Sequence, residues 1–136
     1  MSYSVSVSRR FRAAHWMPSG KAEETAPHQH DYKIEAKVEG GSLRDTGFLL
    51  DIDVLGNALE EFVARFPKTS VNELPELHRL PPSMENFAAA AWRAVVGRLS
   101  VDGLDSMTIT LWEGEDAHAS YTQRLGVEGI FKSEMK

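Results

Sequence analysis

Two stretches of strict alternation constrain this chain more than any other feature. In residues 28–40, His28, His30, Tyr32, Ile34, Ala36 and Val38 fall on one face of a strand, while Gln29, Asp31, Lys33, Glu35, Lys37 and Glu39 take the other. The N-terminal run repeats the pattern. Tyr3, Val5, Val7, Phe11, Ala13 and His15 oppose Ser2, Ser4, Ser6, Ser8, Arg10 and Arg12, with Arg9 as the one polar intruder on the apolar face. Antiparallel pairing across the 16–27 loop sets the end of the first strand against the start of the second. All three imidazoles, His15, His28 and His30, then meet on the apolar side. A lone His-x-His on a strand is ordinarily a pair of solvated or hydrogen-bonded histidines. The parity of His15 sets this case apart, because one residue earlier or later it would point away. Three converging neutral imidazoles make a zinc site whose fourth position stays open to water or substrate.

Composition narrows what such a site can be. The chain has no cysteine, so it has no disulfide, no thiolate ligand and no cysteine nucleophile or base; a metal must rest on nitrogen and oxygen. A formal charge of −5 argues against a general nucleic-acid binder and favours small-molecule or protein partners. The 136 residues are expected to form a single domain, 1–136, large enough for a real core. No long apolar run and no basic-apolar-small leader is visible, which makes a soluble cytoplasmic protein without membrane contact the expectation.

Beyond the second strand, Gly40-Gly41 and Asp45-Thr46-Gly47 carry turn chemistry, and Phe48-Leu49-Leu50 is a short apolar return. Asp51 or Asp53 can cap a helix with Val54, Leu55, Ala58, Leu59, Phe62, Val63 and Phe66 at helical spacing, ended by Pro67. The proline-rich connection over 67–82 is longer than a minimal turn, and such loops are often functional. Ser83 caps a second helix with Phe87, Ala88, Ala91, Trp92, Val95, Val96 and Leu99 as its stripe, Glu85 in its first turn and Gly103 at the exit. Ser106 to Glu113 alternates again, so that Glu113 continues the face of Met107, Ile109 and Leu111; an isolated strand-end glutamate would ordinarily reach solvent. Residues 117–124 make a fourth strand around Tyr121, and Lys132 to Lys136 read as a frayed tail. The order predicts an α+β domain, a four-stranded antiparallel sheet with two helices grouped on one face. Its two sheet edges invite pairing with neighbours in a ring-like oligomer.

Taken together and in order, Phe11-Arg12-Ala13-Ala14-His15, His28-Gln29-His30, Gly47 to Asp51, Pro82-Ser83-Met84-Glu85-Asn86, Glu113 and Ala119-Ser120-Tyr121 resemble the 6-pyruvoyl-tetrahydropterin synthase and 6-carboxytetrahydropterin synthase family. The resemblance spans nearly the whole chain. It implies the tunnelling fold, a homo-hexamer of two trimeric barrels, and active sites at subunit interfaces. It maps the zinc ligands to His15, His28 and His30, and the pterin anchor to Glu113, whose carboxylate can accept two hydrogen bonds from a pterin ring NH and amino group. Ser83-Met84 resembles a stretch that lines the pterin pocket.

The departures fall in the proton-transfer residues. The family's usual cysteine before His-x-His is absent; at the spacing of the bacterial carboxytetrahydropterin synthases the position is Glu24. A subgroup carries glutamate there, so Glu24 is either the base or a solvated loop residue beside Glu23. Phe66-Pro67-Lys68 stands where the family has Leu-Asp-His, and His78 and His118 match neither by position and read as ordinary loop histidines. The family's His-Gly-His is His-Gln-His here, its extra side chain facing away from the metal. The family's reaction uses zinc as a Lewis acid on 7,8-dihydroneopterin triphosphate while a base takes the acidified proton and triphosphate leaves. Loss of a general base typically lowers a rate about 10²–10⁴-fold. Three functions stay open: a lyase of this class with altered catalytic residues, a non-catalytic pterin- or purine-binding homologue, and a metal-stabilised oligomer with a vestigial site.

Overall fold

A computed structural model describes residues 2–18 and 26–126. Glu24 and the expected tail at Lys132–Lys136 lie outside the described residues. Both alternating stretches are strands, β1 (Tyr3–His15) and β2 (His28–Gly40). After helices α1 (Ile52–Val63) and α2 (Met84–Val96) come β3 (Ser106–Glu113) and β4 (Ala117–Arg124). The sheet order is β1-β2-β3-β4, every pair antiparallel.

The hydrophobic pattern sets the register, since a slip of one residue would turn every side chain to the opposite face. His15 stands opposite His28, Ala13 opposite His30 and Phe11 opposite Tyr32. On the next pair Tyr32 faces Glu113 and Ile34 faces Leu111. The even-numbered residues of β2 from Tyr32 to Val38, with Met107, Ile109 and Leu111 of β3, form a face closed to solvent. Both helices cover it, α1 against β1, α2 against β3 and β4, and the two touch each other. Trp92 is the largest side chain fully enclosed there, and its indole N–H donates to the Met107 carbonyl at 2.8 Å. Arg9, the intruder, is held by α1: its Nε donates to Glu60 at 2.8 Å and its Nη2 reaches the Gly56 carbonyl at 3.5 Å.

The helix starts follow the sequence reading, and the ends fall short of it. Asp51 caps α1 by accepting the Asp53 N–H at 2.9 Å, and Ser83 caps α2 by accepting the Asn86 N–H at 3.1 Å. The periodicity predicts α1 through Phe66, yet it stops at Val63. Arg65 and Phe66 then bond back three residues instead of four, to Phe62 and Val63, because Pro67 has no N–H and disfavours an α conformation in Phe66. Phe66 is buried all the same, tilted on Phe11 at 5.2 Å and near the edges of Phe62 and Phe87. Leu99 likewise packs on the core from the turn beyond α2. The 67–82 connection contains two short 3-10 turns, Val71–Glu73 and Pro75–Leu77, rather than open coil. Of the apolar return, Leu49 and Leu50 are buried and Phe48 is 64% exposed. Among the described residues no helix is long and apolar enough to cross a membrane.

Candidate metal centre

The register delivers the three histidines to one place. Their ring centroids are 4.6 Å (His15–His28), 4.8 Å (His15–His30) and 4.7 Å (His28–His30) apart. One nitrogen from each lies within 4.8 Å of the other two, and this is a group able to hold a metal ion. Tetrahedral zinc with bonds of about 2.0–2.1 Å sets its nitrogen ligands roughly 3.3 Å apart, within reach of small side-chain rotations. His15 is buried, while His28 and His30 are half-buried, so the cluster is closed toward the core and open on one side.

Each ring is held through Nδ1. That of His15 lies 2.9 Å from the Tyr32 hydroxyl, that of His28 3.0 Å from the Ala26 carbonyl, and that of His30 3.3 Å from Glu113 Oε1. This is the arrangement expected around a metal, where the outer nitrogen of each imidazole is tied to an oxygen and the inner one, Nε2, serves as ligand. Burial, and then the charge of Glu113, push the Tyr32 hydroxyl well above the ordinary phenol range, so it stays protonated at neutral pH.

Glu113 therefore ends the apolar face beside the cluster instead of turning to open water; its side chain is 28% exposed. Ser83 and Met84 are half-buried, Ser83 spending its hydroxyl on the helix cap and Met84 packing on the core. Gln29 is exposed on the far face, as its parity requires. His78 and His118 are exposed, and His118 leans on Trp112 at 5.7 Å. Neither belongs to the metal-competent group.

Two residues of the site escaped sequence reading. Tyr32 shares the histidine face, and that parity was its only signal. Asn72 grips the backbone of Trp16, one residue past His15, and no local pattern announces so distant a contact.

The family model for 6-pyruvoyl tetrahydropterin synthase matches residues 4–124. A candidate 6-carboxy-5,6,7,8-tetrahydropterin synthase of Archaeoglobus fulgidus is 29% identical over 115 residues, which cover 85% of this chain and 91% of the relative. Among solved structures, 6-pyruvoyl tetrahydropterin synthase of Plasmodium falciparum superposes with a TM-score of 0.72 at 16% identity, covering 91% of this chain and 99% of the other. The Caenorhabditis elegans enzyme gives 0.72 at 17% identity, with 90% and 96% covered. A Plasmodium vivax 6-pyruvoyltetrahydropterin synthase variant, its catalytic residue replaced by alanine, gives 0.71 at 13% identity with 92% and 99% covered. At these identities the superpositions establish the fold, α+β with two helices over a four-stranded antiparallel sheet. With nearly the whole of the described chain matched by the family model, the protein belongs to the 6-pyruvoyl tetrahydropterin synthase family.

Proposed function

We propose that this chain is a zinc-binding lyase of the family's kind, acting in the cytoplasm on 7,8-dihydroneopterin triphosphate or a related pterin with altered catalytic residues. The observation that carries the reading is the meeting of His15, His28 and His30 with Glu113 beside them, 3.3 Å from His30. The three histidines would hold zinc through Nε2. Zinc bound there supplies Lewis acidity toward the side-chain oxygens of the pterin.

The chain's own groups do the rest. Glu113 anchors the pterin by accepting from its ring NH and amino group, which answers the cost of a half-buried carboxylate at the end of an apolar face. Ser83 and Met84 line the pocket at the start of α2. Glu24 is the proton acceptor. The Plasmodium vivax protein is named as a catalytic-residue mutant in which glutamate is the residue replaced, so glutamate serves that role in at least one protein of this fold.

A homo-hexamer completes the site from neighbouring subunits. Support comes from the two sheet edges at β1 and β4 and from exposed Tyr3, Leu43, Phe48 and Ile52 around an apolar cleft of about 790 Å³, surface that a second copy would cover. A second reading, a non-catalytic homologue that holds a pterin or purine, is favoured by the absence of cysteine and by Phe66-Pro67-Lys68 in place of an Asp-His pair.

Metal analysis of protein purified without added metal, for wild type and His28→Ala, tests the metal centre; equal metal content in both would sink it. Pterin fluorescence titrations of wild type and Glu113→Gln test the anchor, and equal affinity would remove it. Product analysis from dihydroneopterin triphosphate separates the two readings: turnover that disappears in Glu24→Gln while binding persists supports the lyase. Binding with an unaltered pterin side chain supports the binding homologue. Sedimentation showing only monomer would overturn the hexamer.

A further inference from the structure

We propose that Tyr32 is a positioning residue for the metal ligand His15, its hydroxyl fixing the tautomer and orientation of that imidazole so that Nε2 is the ligand nitrogen. The inference rests on the metal reading above and adds a residue to it. Tyr32 follows His30 by two positions on β2 and so points into the same face. Its ring is clamped, stacked on Phe11 with centroids 5.3 Å apart and 21° between planes, and met edge-on by Phe87 at 5.3 Å and 89°. Only 2% of the residue is exposed, which leaves the ring no room to swing away.

The hydroxyl at the end of this fixed ring lies 2.9 Å from His15 Nδ1, and His15 is itself only 8% exposed. Phenylalanine would fill the same apolar space; the oxygen is the difference, and a buried tyrosine hydroxyl needs a partner. With His15 neutral and ligating through Nε2, its Nδ1–H donates to the Tyr32 oxygen. The other two rings are held from the rim, His28 by the carbonyl of Ala26 in the adjoining loop and His30 by the contact with Glu113. His15 is instead tied to the aromatic core.

The test compares wild type with Tyr32→Phe. Zinc affinity is measured by competition with a chromophoric chelator, the visible spectrum is recorded on the cobalt(II) form, and circular dichroism checks the fold. The expected result is a folded variant whose zinc affinity falls about 10–100-fold, with a changed cobalt spectrum. A folded variant with wild-type affinity and spectrum would overturn the proposal while leaving the metal centre standing. Wild type that binds neither ion would overturn both. Histidine-¹⁵N NMR of zinc-loaded wild type decides the matter even if the variant does not fold: His15 with a protonated Nδ1 and ligation through Nε2 supports the assignment, and ligation through Nδ1 refutes it.

Discussion

The side-chain amide of Asn72 grips the backbone of Trp16 at two points, accepting from its N–H and donating to its C=O, both at 3.0 Å. The contact ties the Val71–Glu73 turn to the exit of β1, directly beyond His15. Asn72→Ala removes both bonds and is expected to lower stability by about 1–3 kcal/mol. Zinc affinity is expected to fall with it, because His15 loses the support of its neighbouring peptide. Asn72→Asp keeps the acceptor but sets a charge against the Trp16 carbonyl, so it should not rescue. Thermal melts and chelator competition on both variants check this; full affinity in Asn72→Ala would detach the turn from the metal centre.

Glu76 gives a pH dependence with a definite sign. Burial raises its pKa, but the two-point ion pair with Arg65, at 2.8 and 2.9 Å, outweighs this and leaves it below the ordinary 4.5. A carboxylate depressed in the folded state contributes stability above its unfolded pKa and loses it as pH falls through the folded value. At neutral pH, Glu76→Gln is expected to unfold about 1 kcal/mol more easily, allowing for the partial exposure of the pair. Denaturant titrations of metal-free protein should show the gap shrinking as pH drops below 4.5. A gap that widens in acid would contradict the assignment.

Arg9 and Gly56 should act non-additively. A Cβ on Gly56 would sit 3.1 Å from Arg9 Nη2, so the guanidinium must yield to any larger residue there. Glycine within a helix costs about 1 kcal/mol relative to alanine. Gly56→Ala is expected to be nearly neutral in wild type and to gain roughly 1 kcal/mol when Arg9 is first changed to methionine. Equal effects in both backgrounds, read from denaturant midpoints, would show that the contact does not matter.

Trp92 anchors α2 to the sheet by packing and by its bond to the Met107 carbonyl. Trp92→Phe removes the donor and part of the ring, and about 2–3 kcal/mol of stability should go with them. The melting temperature reports it, and a change under about 0.5 kcal/mol, the range typical of surface substitutions, would argue against the buried bond.

The strands were legible because period-2 alternation is unbroken in β2 and broken in β1 only by Arg9, and because their register follows from which face is apolar. The histidine cluster was legible for the same reason, three histidines of matching parity at facing strand ends. The helix starts were visible through Asp51 and Ser83. Their ends were not, because Phe66 and Leu99 keep the helical spacing of apolar residues while tight turns beyond the helices bury the first and pack the second, partly buried, against the core. Arg9 read as an exception, and the partners that hold it against α1 lie about fifty residues away (sequence separations of 47 and 51), beyond any local pattern. Tyr32 acts through its hydroxyl and Asn72 through both ends of its side-chain amide, each on a partner distant in sequence, and composition gives no hint of which hydroxyl or amide does so.

With the proposed metal bound, the pairing of His15 with His28 would make the fold answerable to the supply of that metal. An ion held there, as proposed, would join the end of one thirteen-residue strand to the start of the next and close the 16–27 loop at its base. The unfolded chain lacks that arrangement, so by mass action each tenfold rise in free ion above the dissociation constant would add about 1.4 kcal/mol to folding, reaching about 2.7 kcal/mol at a hundredfold excess. Chelation would take that increment away without altering a single residue, and the clasp would loosen from the strand ends inward.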